Sequence, residues 1–465
     1  MTSLAASGGR VGLPINTPGN AEAGHMSIGA GRIVQTEVAR IEQALKSGLF
    51  FENVALKAAF ARSKENNSSL HFIGLLSDGG VHSSTENLFA LLRMAKREGV
   101  GEVYVHCILD GRDVQPRTAD IYIEALEIKM ADIGIGKIAS LCGRFYAMDS
   151  SENWERTARA FTMLVHAEGE RSPDASSAVR ASFLRGIADE FIAPVVIENE
   201  AGIPAAIVKN GDVVIFFNHR GDGMKQLVRS LAFADDNSIK LNIETVCLTE
   251  YDRGVELPIA FKYEIESNTL GQILEKHGLN NYRISEMERS SHVTHLFDGG
   301  SGSQNSHEHH LFVPASAAES REAEPEMKSF KITDQLLRGI ESDAGGVFLV
   351  NLPACGMLAE TGNLQKTVEA VQYVDTCLGG VLEKIREANG IAIITSSHGN
   401  CEEMTSRQAS SSNTTNSVPF HLIDDRARSL RLREGGALED IAPTILGLLG
   451  IAKPDEMTGS DLRIL

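Results

Sequence analysis

Four short apolar runs of this chain end in residues that bind oxyanions. Leu70–Leu76 is followed by Ser77-Asp78-Gly79-Gly80-Val81-His82, and Val103–Leu109 by Asp110-Gly111-Arg112-Asp113. Lys137–Leu141 leads into Gly143-Arg144-Phe145-Tyr146-Ala147-Met148-Asp149, and Val213–Phe217 into Asn218-His219-Arg220-Gly221-Asp222. Two later runs end in Thr249-Glu250-Tyr251-Asp252 and Ser396-Ser397-His398-Gly399-Asn400. Guanidinium forks and imidazoles suit phosphate or carboxylate. Taken singly, Asp-Gly after a strand is a turn, and an Arg near a strand end is a surface ion pair. Their convergence points to a polyanion site within residues 70–225, because open α/β sheets bind ligands at the carboxyl ends of their strands.

Two other stretches offer weaker chemistry. Residues 20–32 (NAEAGHMSIGAGR) read as a small-residue, Gly-rich turn. No Lys-bearing helix follows, which excludes a P-loop. His307-Glu308-His309-His310 has the composition of a metal tract. It follows the Gly/Ser-rich GGSGSQNS, so a solvated loop is the expectation.

The elements that must position these residues alternate. Those four runs are joined by further candidate strands at Thr245–Leu248, Gly346–Leu352 and Ile391–Thr395. All are short and rich in β-branched or aromatic side chains, as buried strands of parallel sheets are. Amphipathic segments such as Glu86–Glu98, Ala119–Ala131, Glu152–Glu168, Gln365–Glu387 and Leu438–Leu449 lie between or beyond them. The pattern predicts α/β domains. Residues 409–417 (ASSSNTTNS) predict a polar loop.

Composition sets the outer bounds. At about 100–200 residues per domain, 465 residues give two or three domains. Lys and Arg number 44 against 62 Asp and Glu, a net charge of −18. That charge argues against nucleic acid and against a polybasic membrane contact. No apolar run reaches the length of about 18 residues needed to cross a membrane. The N-terminal residues lack a charged region followed by an apolar one, so no secretory signal is expected. The six cysteines form no CxxC pair and read as reduced thiols of a cytoplasmic protein.

Ten stretches then match one family in its own order: SGGRVGLP (7–14), GNAEAGHMSIGAGR (19–32), LLSDGGVHS (75–83), VHCILDGRDVQP (105–116), GRFYAMD (143–149), VVIFFNHR (213–220), HVTHLFDGG (292–300), SSHGN (396–400), NTTNSVPF (413–420) and LREGGALEDIAPTILGLLG (432–450). The chain resembles the cofactor-independent phosphoglycerate mutases of the alkaline phosphatase superfamily. The resemblance implies a discontinuous α/β/α phosphatase-like domain from residues 1–36 and 268–465, lacking the family's first strand. It implies an inserted α/β transferase-like domain from residues 40–264, and a monomer. The family activity is isomerisation of 3- to 2-phosphoglycerate in glycolysis. A serine nucleophile activated by two divalent metals, typically manganese, carries the phosphoryl group. Substrate positions carried over are His82, Asp113, Arg144 and Arg220, with Arg289 where the family has Lys. Two further family arginines are replaced by Ser150 and Gly223.

The remaining carried-over positions depart from the pattern. Ala21 stands at the nucleophile, and a methyl group cannot attack phosphorus. Of the metal positions His398 is kept, while Gly356, Glu360, Ser397 and Asn413 are replacements. Hard divalent cations need several oxygen or imidazole donors in fixed geometry. The expectation is a catalytically inactive member with weak or lost manganese binding and a residual site for phosphoglycerate or a similar small phosphorylated acid. The alternatives are an active mutase and a non-functional truncated gene product.

Overall fold

A computed structural model describes residues 1–464 except Ser151, Asp222, 234–240, Arg253, Tyr263, 302–303, 315–323, 405–412 and Arg428. Part of the ASSSNTTNS segment, residues 409–412, lies outside the described residues. The chain forms two compact units: a split unit, Met1–Ala39 with Glu264–Leu465, and an inserted unit, Arg40–Tyr263. Both mix helices and strands, and the fold is α/β.

The split unit opens with β1 (Thr2–Ala5) and helix α1 (Ala21–Ala30). The inserted unit supplies β2 (Leu70–Leu76), β3 (Val103–Leu109), β4 (Lys137–Gly143), β5 (Glu170–Ser172), β6 (Val195–Ile197), β7 (Val213–Phe216) and β8 (Glu244–Cys247). These form one sheet in the order β5-β6-β4-β3-β2-β7-β8, parallel throughout except at β4–β6. β2 is buried along its whole length. Its Leu70, Phe72 and Leu76 enter one apolar cluster, while Ile73 and Leu75 enter another on the opposite face. Two-sided burial explains why the strand reads as an unbroken apolar run rather than an alternation. Helix α2 (Thr85–Glu98) covers the first face with Leu88, Leu91, Leu92 and Ala95. Ser84 caps its start, and Gly99 ends it in a left-handed turn at φ 71°. β5 and β6 are three residues each, too short to leave a periodic signal.

In the split unit, β9 (Asn281–Glu286), β10 (Glu308–Val313) and β11 (Val347–Val350) form a parallel sheet in the order β10-β9-β11. A second sheet runs β12 (Ala392–Thr395), β13 (Val418–Ile423), β1, β15 (Gly436–Ala437), and β14 (Arg431–Leu432) pairs with β16 (Arg463–Ile464). The His307–His310 tract is therefore not a solvated loop. Most of it is the start of β10, where buried Glu308 accepts from the His310 imidazole at 2.5 Å and faces buried Arg283 at 3.4 Å.

Residues 20–32 are likewise not a simple turn. Asn20 Oδ1 accepts from Ala23 N–H at 2.8 Å and starts α1, which Gly31 ends at φ 62°. Small residues serve close packing: a Cβ at Gly24 would lie 2.1 Å from Ser397 O, and one at Gly29 1.7 Å from Phe297 O. The helix is not legible locally because its glycines lower helix propensity, a penalty that tertiary contact overrides.

A buried polar chain crosses the inserted sheet. Asp212 accepts from Ser69 N–H and Lys209 N–H and lies 3.2 Å from His71 Nε2. His71 Nδ1 meets His106 Nε2 at 2.9 Å, and His106 Nδ1 meets Ser140 Oγ at 2.7 Å. Burial, and then the nearby His71, hold the His106 pKa well below its ordinary value. His106 is neutral in the fold and gains a proton on unfolding below about pH 6.5, so its contribution is present above that pH and is lost as pH falls. Unfolding free energy measured from pH 7 to 4.5 should decline, and His106→Asn should make the decline shallower by up to about 1.4 kcal/mol per pH unit. An unchanged slope would separate His106 from the acid sensitivity.

Candidate functional site

In the inserted unit the ends of β4, β3, β2 and β7 are neighbours, and they bring the sequence-predicted anion ligands together. Arg144 begins a one-turn helix, α3 (Arg144–Ala147), directly after β4. Its Nη1 donates to Asp110 Oδ1 at 2.7 Å and to Asp113 Oδ1 at 2.8 Å. Asp110 Oδ1 also accepts the backbone N–H of Arg112 and of Asp113, which folds the turn after β3. Asp113 Oδ2 in turn lies 2.6 Å from His82 Nδ1. The Nδ1–H therefore points at a carboxylate, which fixes the orientation of the ring.

Burial by itself would raise the Asp113 carboxyl pKa, but His82 and Arg144 outweigh it and hold it below the ordinary value. Arg144 shows the opposite balance: burial disfavours its charge, and the two aspartates raise its pKa regardless. Arg144 is buried, whereas Arg220 after β7 is exposed. The backbone N–H groups of His219 and Arg220 both donate to His82 O, tying the β7 loop to the β2 loop. His219 itself is buried, and that burial lowers its pKa to about 4. Ser150 is exposed. Gly223 differs: it sits at φ 78°, and a Cβ there would lie 2.6 Å from Met148 O.

The second constellation lies in the split unit. Ala21 is the first residue of α1 and presents only a methyl group. Ser27 is buried on the same helix, about 9 Å along the axis from Ala21 at 1.5 Å per residue. His25 Nδ1–H donates to Ala21 O at 2.7 Å, and its ring centroid is 4.9 Å from that of His292. Burial first, and nearby positive groups second, lower His292 to about 3. His25 falls to about 4 through burial, against the raising effect of its hydrogen bond to Ala21 O. His398 Nδ1 lies 2.9 Å from Ser397 Oγ, and its pKa is lowered chiefly by burial. His25 and His292 stood inside recognisable stretches of sequence, but nothing local announced that they meet each other.

The positions that the resemblance assigns to metal ligands offer a mixed donor set. Gly356 lies within helix α4 (Ala354–Ala359) and offers no side chain. Glu360 follows that helix and lies 3.8 Å from Arg289, so two of the carried-over positions compensate each other's charge. Asn413 Oδ1 accepts from Asn400 Nδ2 at 3.0 Å. Glu402 is engaged by Thr414, Asn416 and Asn400 N–H. Among the described residues, no three His, Cys, Asp or Glu side chains are grouped to hold a metal ion. One imidazole, a hydroxyl, an amide and an ion-paired carboxylate do not make the oxygen-rich shells that two hard cations require. The six cysteines are free, and among the described residues no helix is long and apolar enough to cross a membrane.

Comparison with known proteins agrees with this architecture. Residues 41–253 match the family pattern described as the BPG-independent PGAM N-terminus. A 2,3-bisphosphoglycerate-independent phosphoglycerate mutase of Moorella thermoacetica is 43% identical over 470 residues, covering 100% of this chain and 91% of that protein. The enzyme of the same name from Clostridium novyi is 43% identical over 468 residues, covering 99% and 91%. A crystal structure of Leishmania mexicana phosphoglycerate mutase at low cobalt concentration superposes with a TM-score of 0.77 at 27% identity, covering 100% of this chain and 90% of that one. The fold is thus the two-domain, alkaline-phosphatase-like α/β architecture. The chain belongs to the 2,3-bisphosphoglycerate-independent phosphoglycerate mutase family.

The ion triad yields a prediction. Removing Arg144 leaves two carboxylates facing each other at a largely buried site. Arg144→Ala should cost about 3–5 kcal/mol of stability, and exposed Arg220→Ala less than about 1 kcal/mol. Urea unfolding of the two variants gives the comparison, and equal midpoints would show that the triad is not structurally coupled.

Proposed function

We propose that this chain is a phosphoglycerate-binding member of its family that does not catalyse the mutase reaction. One observation carries the reading: Ala21 occupies the position of the phosphoryl-accepting serine. An Ala side chain has no lone pair, so the covalent transfer that splits the reaction into two steps cannot begin there. The donor set at Gly356, Glu360, Ser397, His398 and Asn413 supports the same reading. In the family the metal pair, typically manganese, neutralises the phosphoryl group and activates the nucleophile. These side chains do not fit it.

The inserted unit keeps the means to bind an anion. In this reading it is the transferase-like domain, and the split unit is the phosphatase-like domain. Arg220 offers an exposed guanidinium to the phosphate or carboxylate. His82, oriented by Asp113, offers Nε2 to a hydroxyl. Arg144 holds Asp113 in place and has little charge left to give. Ligand affinity is weak, because Ser150 and Gly223 remove two cations from a chain of net charge −18. We place the protein in the cytoplasm as a monomer, with a small phosphorylated acid as its ligand.

An enolase-coupled assay with added Mn²⁺ should give no turnover above the blank, and Ala21→Ser alone should not restore it. Chelator-sensitive turnover by the unmodified chain would establish the active mutase instead. Calorimetric titration with 3-phosphoglycerate should show binding that Arg220→Ala weakens by about tenfold, the scale of one charge-assisted contact. Ser150→Arg should tighten it, whereas Gly223→Arg should destabilise the fold, because its φ and its Met148 contact exclude a side chain. Identical heats for the unmodified chain and Arg220→Ala would remove the binding reading.

A further inference from the structure

Strand β7 leaves its sheet one residue at a time, and side chains take over from the backbone as it goes. Phe217 N–H still donates to Ile73 O at 3.0 Å, in register with β2. The next donor along β2 is Leu75 N–H, which a parallel ladder would send to Phe217 O. It goes instead to Asn218 Oδ1 at 2.8 Å. On the β8 side, Leu248 N–H donates to Phe216 O at 2.9 Å. The next carbonyl on that edge is Asn218 O. Its ladder partner would be the N–H of Glu250, but β8 ends at Cys247. The Tyr251 hydroxyl takes that place, 2.5 Å from Asn218 O and 3.2 Å from Phe216 O.

A hydroxyl has one proton, and here the nearer carbonyl receives it. Burial raises the Tyr251 pKa well above the ordinary phenol value, so that proton stays in place at neutral and mildly basic pH. The ring stands edge-on to Phe216, with centroids 6.3 Å apart. Tyr251 also bounds the loop on its far side. A Cβ on Gly221 would lie 2.7 Å from Tyr251 Cα and 3.1 Å from Glu250 O. Between these two contacts, His219 N–H and Arg220 N–H donate to His82 O at 3.0 and 3.2 Å. Arg220 thus sits on a stretch of backbone whose two ends both meet Tyr251.

We propose that Tyr251 is a positioning residue of the anion site: by bonding Asn218 O and closing against Gly221, it sets the backbone from which Arg220 reaches an anion. The inference rests on the reading of Arg220 as the anion contact. Tyr251 is itself buried and acts only through the loop. An exposed arginine has many rotamers, and a fixed backbone narrows the volume that its guanidinium samples. Less ordering is then left for the moment of binding. Without the hydroxyl, Asn218 O loses its donor in a buried place, and the loop relieves this by moving toward water. Arg220, two residues on, moves with it.

The test uses the full chain, with 3-phosphoglycerate titrated calorimetrically. Tyr251→Phe removes the hydroxyl alone and should weaken binding about three- to tenfold, the net contribution of one hydrogen bond. In an Arg220→Ala background the same substitution should change affinity by less than about 1.5-fold, because its effect runs through Arg220. Gly221→Ala presses on the same contact from the other side. It should weaken binding only when Arg220 is present, and it keeps the comparison if Tyr251→Phe does not fold. Ser63→Ala removes another buried hydroxyl bond of the inserted unit, to Ser68 O at 2.8 Å, and should leave affinity unchanged. Amide exchange needs no ligand: Tyr251→Phe should speed His219 and Arg220 by at least about threefold and leave the β3 amides unchanged.

The proposal is overturned if Tyr251→Phe weakens binding equally with and without Arg220, or if Ser63→Ala weakens it as much. It is overturned equally if the His219 and Arg220 amides exchange in Tyr251→Phe as they do in the unmodified chain. An unmodified chain that gives no heat with 3-phosphoglycerate would remove the phosphoglycerate reading. Exchange at those two amides would then decide by itself whether Tyr251 holds the loop.

Discussion

Arg144 sits buried between Asp110 and Asp113, and the geometry of the inserted unit's site follows from neutralising that one charge. A guanidinium taken out of water costs several kcal/mol unless carboxylates meet it with good geometry. Asp110 does two things at once: it bonds Arg144, and it accepts the backbone N–H groups that shape the turn carrying Asp113. Asp113 then fixes the ring of His82. The order of the parallel strands makes this possible, because β4, β3 and β2 are adjacent and end on the same side. The consequence for recognition is that Arg144 acts first on the protein's own carboxylates. In the proposed reading, contact with an anion falls to Arg220, which is exposed.

In the split unit, packing constrains some small residues and not others. Gly24 and Gly29 of α1 lie so close to Ser397 and Phe297 that any larger side chain would meet a backbone carbonyl. Packing holds these positions independently of any reaction. Ala21 and Gly356 are different in kind. Ala21 is at the helix start, and a Cβ at Gly356 would meet nothing within 4 Å. Packing places no such demand on Gly356. Glu360 and Arg289 form an ion pair at 3.8 Å.

Much of this was legible in the residues. The strand over Leu70–Leu76 and the one over Val103–Leu109 stand at their expected bounds, because two-sided burial demands continuous apolar runs. Gly-rich α1 was not legible, nor was the β10 strand beginning inside the His307–His310 tract. In both, local composition argues for a loop, and a tertiary contact outweighs it: close approach to Ser397 and Phe297 in the first, and the buried Arg283–Glu308 pair in the second.

The sequence by itself determined the α/β class, the family, and which side chains stand at the strand ends. It also determined that Ala21 cannot serve as a nucleophile, since that depends on which atoms are present and not on where they lie. Only the tertiary structure decided how those groups spend their charge. Arg144 is ion-paired with two aspartates and Arg289 with Glu360, and the His25 ring lies against that of His292, through contacts between residues far apart in the chain. Pairing of that sort depends on three-dimensional distance and burial, and neither is written in the local spacing of residues.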